Sequence, residues 1–221
     1  YPSLSHNPLE HISLRYSHPA WMVERWLAEF GPEETIELCR ANNKPAPNTI
    51  RTNTLKITRA RLVERLRGEG LTVSETVYAP EGLVIEGFYS LGSLPSFQEG
   101  LFQVQDESSM LASRALMPSP GSFVIDACSA PGGKTTHLAQ LMENRGFILA
   151  LEIHTHKLSL IRENCQRLGI DIVECREGDA RNLPEELNGL ADFVLVDAPC
   201  SGLGVLRRRP DARWRIKPED L

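Results

Sequence analysis

The sequence predicts an α/β fold in which a doubly wound parallel sheet follows a smaller α/β module. From Ser122 onward, apolar runs of strand length alternate with helical segments, which is the pattern of a parallel sheet covered by helices on both faces. A strand, helix, strand unit precedes this region, and the breaker PSPG separates the two. The four runs of the parallel sheet are SFVIDAC, GFILALEI, DIVECREGD and ADFVLVDAP.

We expect three regions along the chain. Residues 1–45 predict two short helices, because AWMVERWLAEF has apolar residues at helical spacing and Gly31-Pro32 interrupts the pattern. Residues 46–105 predict the small module, in which Thr58 caps the helix RARLVERLRGEG and GLVIEG and GLFQVQ add strands. Residues 106–221 begin with the connecting helix DESSMLASRALM and then form the parallel sheet. So few residues follow its last strand that we expect the sheet to be C-terminally incomplete.

Composition excludes several classes of protein. With 221 residues, 41% hydrophobic and 24% charged, the chain is neither largely disordered nor fibrous. No apolar run approaches the roughly 20 residues of a membrane helix, and no signal peptide is visible, so we expect no membrane partner. The start at Tyr1 looks like a cut. The five cysteines are scattered and form no zinc pattern, which favours the cytoplasm and predicts no metal site.

A basic segment stands out from an acidic chain. The net charge is -5, yet RRRPDARWRIK, residues 207–217, carries +5, so the remainder carries -10. A local basic patch on an acidic body fits a partner that bears phosphates. On charge alone, a solvated arginine-rich loop explains the segment equally well.

The first strand of the parallel sheet ends in a glycine loop, DACSAPGGKTTH. Its Gly133-Lys134-Thr135 matches the end of a P-loop, but Cys128 stands where that motif requires glycine. The second strand ends at Glu152, 19 residues after Gly133, where an acidic residue accepts hydrogen bonds from ribose hydroxyls. The spacing therefore favours an adenosine-containing ligand over a triphosphate.

The remaining strand ends also carry chemistry. Asp179 follows the third strand, where a carboxylate can accept a hydrogen bond from the amino group of adenine, and Asp197 ends the fourth. Cys200 comes directly after a proline and beside glycines, so we expect it at a surface. The arginine cluster begins seven residues later, which would bring a thiol and phosphate contacts close together.

Together these segments resemble the Sun (Fmu) family of S-adenosylmethionine-dependent RNA 5-methylcytosine methyltransferases. The resemblance covers nearly the whole chain, and APGGKT with DAPCSG is its most specific part. It implies a class I methyltransferase (Rossmann-like) fold, an enzyme that methylates carbon 5 of cytosine in small-subunit ribosomal RNA, an RNA-binding role for the small module and a monomeric state. It rests on RTNTLK, FQVQDESSMLA, DACSAPGGKTTH, ALEIHTHKL, EGDAR and DAPCSGLGVLRRRPD.

The resemblance also implies the roles of individual residues. Glu152, where the family usually has Asp, would bind the ribose of the cofactor, and Asp179 would bind the adenine. Asp197 would lie at the cofactor and hydrogen-bond the target base, and Cys200 would assist release of methylated RNA. The loop around the methionine end of the cofactor would comprise Cys128, Ser129, Ala130, Pro131, Gly132, Gly133 and Lys134. The candidate RNA contacts are Arg51, Asn53, Lys56, Arg207, Arg208 and Arg209.

One departure from the family limits the expected activity. In the family a cysteine of a Thr-Cys motif attacks carbon 6 of cytosine, and no Thr-Cys pair occurs in this sequence. We therefore expect the chain alone not to turn over. Because the family's later strands are also missing, we expect it to bind the cofactor weakly or not at all. Two other functions stay open: a P-loop-like nucleotide hydrolase, and a catalytically silent RNA-binding protein.

Overall fold

The computed structural model describes all residues, 1–221, and the chain divides into two compact units. One unit combines Tyr1–Ala46 with Pro199–Leu221, and the other is Pro47–Ala198. No helix is both long and apolar enough to cross a lipid bilayer.

The first unit is helical. Its two long helices are α1 (Pro8–Tyr16) and α2 (Ala20–Asn43), and α2 is kinked where Gly31 adopts φ 75° just before Pro32. The break predicted at Gly31-Pro32 is thus confirmed. Trp26 is 8% exposed and lies in the core of this unit, as the helical spacing predicts. Leu206, from the C-terminal stretch, is buried in the same core. That stretch forms short 3-10 helices at Leu203–Val205, Pro210–Trp214 and Pro218–Asp220.

The second unit begins with an antiparallel sheet of four strands. Its elements are β1 (Thr49–Thr52), α3 (Arg59–Gly68), β2 (Thr72–Glu75), β3 (Gly82–Glu86), a 3-10 helix (Leu91–Ser93), α4 (Pro95–Gln98) and β4 (Phe102–Val104). The strand order in the sheet is β2-β3-β1-β4. Thr58 caps α3 by accepting a hydrogen bond from the N–H of Arg61, as the sequence predicts. Leu62 and Leu66 of α3 pack on Ile50, Leu83 and Ile85 of the sheet.

The connecting helix leads into a parallel sheet of four strands. The elements are α5 (Glu107–Leu116), β5 (Phe123–Asp126), α6 (Gly133–Leu141), β6 (Phe147–Glu152), α7 (Thr155–Leu168), β7 (Val173–Glu177), a 3-10 helix (Glu185–Leu187) and β8 (Phe193–Leu195). The strand order is β7-β6-β5-β8, and all three pairings are parallel, so the carboxyl ends of the four strands lie along one edge. The predicted α/β fold with a parallel sheet is confirmed.

The central strands are buried on both faces, whereas the outer strands are not. Val124 and Ile148 face the core formed with α6 and α7, and Ile125 and Leu149 face a second core on the opposite side. In β8, by contrast, Val194 is 48% exposed. The cover on both faces that the apolar runs predict is thus present at the central strands and incomplete at the outer strands.

Both sheets belong to the compact unit Pro47–Ala198. The antiparallel sheet ends at Val104 and the parallel sheet begins at Phe123. The division into three domains stays a prediction.

Candidate functional site

The loop between β5 and α6 passes close to helix α7. Gly132 precedes α6 with a φ of 98°, and a Cβ placed on it would lie 3.2 Å from the Cα of Ile161. Both the backbone conformation and the available space therefore favour glycine there. No side chain caps the first turn of α6. Because the first N–H groups of a helix have no partner within it, this end of α6 suits an anion.

A pocket lies between this glycine loop and the segment that connects β4 to α5. Residues of the predicted cofactor loop form one side. The other side consists of residues from FQVQDESSMLA. These residues were not expected in the pocket, because the segment predicts only a strand and a connecting helix. The residues that line the pocket are Val104, Gln105, Asp106, Ser109, Cys128, Ser129, Ala130, Pro131, Gly133, Lys134 and Asp197.

An ion pair lies in the wall of the pocket. The ammonium Nζ of Lys134 lies 2.5 Å from Oδ2 of Asp197 and donates a hydrogen bond of 3.1 Å to Oγ of Ser109. Lys134 is largely buried, whereas Asp197 is 54% exposed, so the carboxylate remains accessible to a ligand. The pair brings together the glycine loop and the end of β8, as the order of the strands predicts.

Asp126, at the end of β5, is a buried carboxyl behind the pocket. Burial raises its pKa to about 6, although a hydrogen bond of 2.7 Å from the hydroxyl of Thr135 and the charge of Lys134 act in the opposite direction. Burial also raises the pKa of the Cys128 thiol, and the carboxylates of Asp126 and Glu152 raise it further. Cys128 is therefore a protonated thiol at neutral pH, which is a poor nucleophile.

Two carboxylates follow the neighbouring strands β6 and β7. Glu152 is 8% exposed, and its Oε1 accepts a hydrogen bond of 2.9 Å from the N–H of His154. Asp179 accepts hydrogen bonds from the N–H and the guanidinium of Arg181, which lower its pKa to about 2. Both side chains thus offer carboxylate oxygens as acceptors at the carboxyl ends of neighbouring strands of the parallel sheet that carries the glycine loop.

Cys200 and the arginine cluster belong to the other unit. Cys200 is exposed and has a free thiol, in line with the expectation of a surface cysteine. Arg207, Arg208 and Arg209 are exposed as well. The guanidinium of Arg207 donates to the backbone carbonyl oxygens of Lys44 and Pro45, at distances from 2.7 to 3.2 Å.

The structure corrects two of the three RNA contacts expected in the small module. Arg51 and Asn53 are 0% exposed, so a phosphate cannot reach them. Asn53 donates to the carbonyl oxygens of Gly100 and Leu168. These two side chains bind the protein itself, which the strand-like sequence RTNTLK does not reveal. Lys56 also donates to two backbone carbonyls, but it is exposed, so its contact with RNA stays a prediction.

Two parts of the chain match models of one methyltransferase family. Residues 113–221 match the family model described as 16S rRNA methyltransferase RsmB/F, and residues 18–91 match a ferredoxin-like domain of RsmF/B-like methyltransferases. A solved methyltransferase homolog protein from Pyrococcus horikoshii is 38% identical, with a TM-score of 0.81 over 92% of this chain and 67% of that one. The chain belongs to the RsmB/F methyltransferase family.

Named relatives of this RsmB/F chain come from distant organisms. The Bacillus subtilis protein named "Probable ribosomal RNA small subunit methyltransferase B" is 40% identical over 216 residues, which are 97% of this chain and 48% of that protein. The human "28S rRNA (cytosine(4447)-C(5))-methyltransferase" is 34% identical over 95% of this chain and 26% of its own length. The RsmB/F chain thus spans about half of its bacterial relative.

A further solved relative bears on the cofactor. NSun6 from Pyrococcus horikoshii, solved with SFG, is 28% identical and has a TM-score of 0.75, over 84% of this chain and 71% of that one. Because the chain belongs to the RsmB/F methyltransferase family, its cofactor is S-adenosylmethionine.

Proposed function

We propose that this chain provides the S-adenosylmethionine site of an enzyme that methylates carbon 5 of a cytosine in small-subunit ribosomal RNA. The observation that carries the proposal is the pocket in which the glycine loop meets the ion pair of Lys134 and Asp197. The sequence of this loop is the most specific part of the family resemblance, and the carboxyl ends of parallel strands are where such folds bind ligands.

The described side chains fit the cofactor. The N–H groups at the start of α6 and the ammonium of Lys134 suit its carboxylate. Glu152 has one oxygen on the N–H of His154 and keeps acceptor capacity for the ribose hydroxyls. Asp179 carries a carboxylate suited to the amino group of adenine. We assign the methionine end to the loop Cys128–Lys134, the ribose to Glu152 and the adenine to Asp179.

The chain's own residues then position the RNA base. The cofactor supplies the methyl group. Asp197, half exposed and paired with Lys134, accepts a hydrogen bond from the target cytosine. Such a base must leave its stack before it can enter a protein pocket. Cys200 assists release of the methylated product, and Arg207, Arg208 and Arg209 bind RNA phosphates.

The cellular location is inferred from the substrate and from the cysteines. An RNA substrate and five free cysteines support a cytoplasmic location. The monomeric state expected from the sequence stays a prediction.

The proposal is tested by ligand binding to the purified chain. All residues that line the pocket lie within one compact unit, so we expect weak but measurable binding of S-adenosylhomocysteine in an NMR titration of backbone amides. Shifts should concentrate in residues 128–134, and Glu152→Ala should weaken binding at least tenfold, the loss of about two hydrogen bonds.

Titration with ATP and Mg²⁺ separates the proposal from a nucleotide hydrolase. We expect no shifts in residues 128–134 from that titration, because Cys128 replaces the glycine that a P-loop needs. Binding of ATP and Mg²⁺ without binding of S-adenosylhomocysteine would overturn the proposal.

A further inference from the structure

Arg51 is a buried cation that connects the antiparallel sheet to the glycine loop. Its guanidinium extends from β1 and is 0% exposed. It donates four hydrogen bonds, all of them to groups outside its own strand. The acceptors are Oε1 of Gln140, Oε1 of Gln105, the carbonyl oxygen of Gly133 at 2.7 Å and Oγ1 of Thr136 at 2.9 Å.

The bond to Gly133 acts on the peptide group that opens α6. The carbonyl of Gly133 and the N–H of Lys134 belong to one planar trans peptide, in which the two bonds point in opposite directions. By binding the oxygen, Arg51 fixes the direction of that N–H. The N–H is also one of the first in the helix, so it has no partner within the helix.

The same nitrogen of Arg51 reaches both sides of the pocket. The Nη1 atom donates to Gln105 on one side and to Gly133 on the other, and both residues line the pocket. The guanidinium therefore sets the separation of the two sides from behind, without being exposed to a ligand itself.

The charge of Arg51 is not cancelled by a bonded carboxylate. All four acceptors are neutral, and the neighbouring acid Glu81 contacts His137 at 2.7 Å and Arg114 at 3.0 Å. Burial lowers the pKa of Arg51 to about 9, so the group remains protonated at neutral pH. A buried positive charge behind the first turn adds to the positive end of α6, and it polarises the peptide that it binds.

We propose that Arg51 is a positioning residue for the cofactor's carboxylate: it holds and polarises the Gly133–Lys134 peptide so that the N–H of Lys134 faces an anion in the pocket. This inference rests on the proposed function, because it takes S-adenosylmethionine as the ligand. It replaces the RNA contact expected for this arginine.

The test compares two ligands that differ only in the carboxylate. S-adenosylmethionine and its decarboxylated analogue share the nucleoside, the sulfonium and the amine. In Arg51→Met we expect the dissociation constant for S-adenosylmethionine to rise about fivefold to tenfold, and that for the analogue to change less than twofold. Arg51→Lys keeps the positive charge but loses the planar guanidinium that donates to both sides of the pocket. We therefore expect partial rescue of the S-adenosylmethionine affinity.

Arg167→Met is the matched control. Arg167 is half-buried, donates to the backbone carbonyls of Phe97 and Phe102, and does not line the pocket. We expect it to lower the melting temperature without changing the ratio of the two dissociation constants. If Arg51→Met does not fold, the ratio of the dissociation constants for S-adenosylmethionine and its analogue is measured for Arg51→Lys, and that ratio tests the proposal.

Each remaining outcome is informative. Equal weakening of both ligands in the Arg51 variants, or no weakening at all, would overturn the positioning role. The same selective loss in Arg167→Met would overturn it too. A wild-type chain that binds neither ligand would overturn the proposed function and this inference with it, whereas wild-type binding without selectivity in the variants would leave the proposed function standing.

Discussion

Asp126 couples the protonation of a single buried carboxyl to folding. Its pKa is about 6 in the folded chain against an ordinary value of 3.8, so the folded protein binds more protons between about pH 4 and pH 6. The contribution of this residue to the free energy of unfolding therefore falls as the pH rises through that window, by about 3 kcal/mol in total.

Asp126→Asn removes this titration while keeping an acceptor for the hydroxyl of Thr135. We expect the free energy of unfolding of the variant minus that of wild type to be larger at pH 7 than at pH 4, because only wild type loses stability as Asp126 ionises. Buried His18 and His137, whose pKa values are lowered to about 4 mainly by burial, titrate in both proteins and cancel in the difference. Urea unfolding at several pH values measures it, and a difference independent of pH would contradict the prediction.

The glycine loop is the element that shapes the pocket, and its two glycines have different reasons to be there. Gly132 combines a positive φ with a close approach to Ile161, so we expect Gly132→Ala to cost about 1–3 kcal/mol of stability and to weaken binding of S-adenosylhomocysteine. Gly133→Ala is the matched control for stability, since Gly133 is helical and a Cβ there meets no protein atom within 4 Å. Thermal melts of both variants check this, and equal losses of stability would refute the explanation.

Helix α6 shows where sequence reasoning succeeds and where it ends. The strand before it, the glycine loop and the carboxylates after the neighbouring strands follow local patterns, so they could be predicted. The polar face of α6 could not: Thr136, His137 and Gln140 are buried, although an amphipathic pattern would place such residues in water. The partners of Thr136 and Gln140 include Arg51, more than 80 positions earlier in the chain. The periodicity of apolar residues within one segment gives no information on contacts between residues so far apart in the chain.

The same limit applies to RTNTLK in β1. All four residues of β1 are buried, and an arginine in such a strand was interpreted as an exposed phosphate contact. The mistake has a physical cause, since a buried guanidinium is tolerated only where acceptors surround it. Three of the four acceptors, on Gly133, Thr136 and Gln140, belong to α6, which lies outside the sequence of the module.

At the scale of the whole molecule, charge distribution predicts how RNA binds. Exposed Arg208 and Arg209 lie in a basic segment of an otherwise acidic chain. For Arg208→Gln/Arg209→Gln we expect weaker binding of small-subunit ribosomal RNA and a salt dependence whose log–log slope is smaller by about 1.5. Arg15→Gln/Arg25→Gln, which changes the net charge equally at exposed helix positions, should leave the slope unchanged. An equal change in both would contradict a specific role for the cluster.

The absence of a Thr-Cys pair predicts the catalytic behaviour of residues 1–221. Carbon 5 of cytosine becomes a nucleophile only after a thiolate adds to carbon 6, and the resemblance places that thiolate in a motif this sequence does not contain. We expect no multiple-turnover transfer of labelled methyl groups to ribosomal RNA by this chain. Clear multiple turnover would show that one of its own cysteines performs the attack.

The pocket wall at Val104–Ser109 also bears on how such proteins can be recombined. This segment contains the last residue of the antiparallel sheet and the first turn of the helix that leads to the parallel sheet. A chimera joined at residue 105 would therefore combine half of one parent's wall with half of another's. Because Arg51 also binds Gln140 and Lys134 also pairs with Asp197, an exchange between relatives that preserves the pocket is expected to keep residues 47–198 as one block. The unit of transplantation is then larger than either sheet.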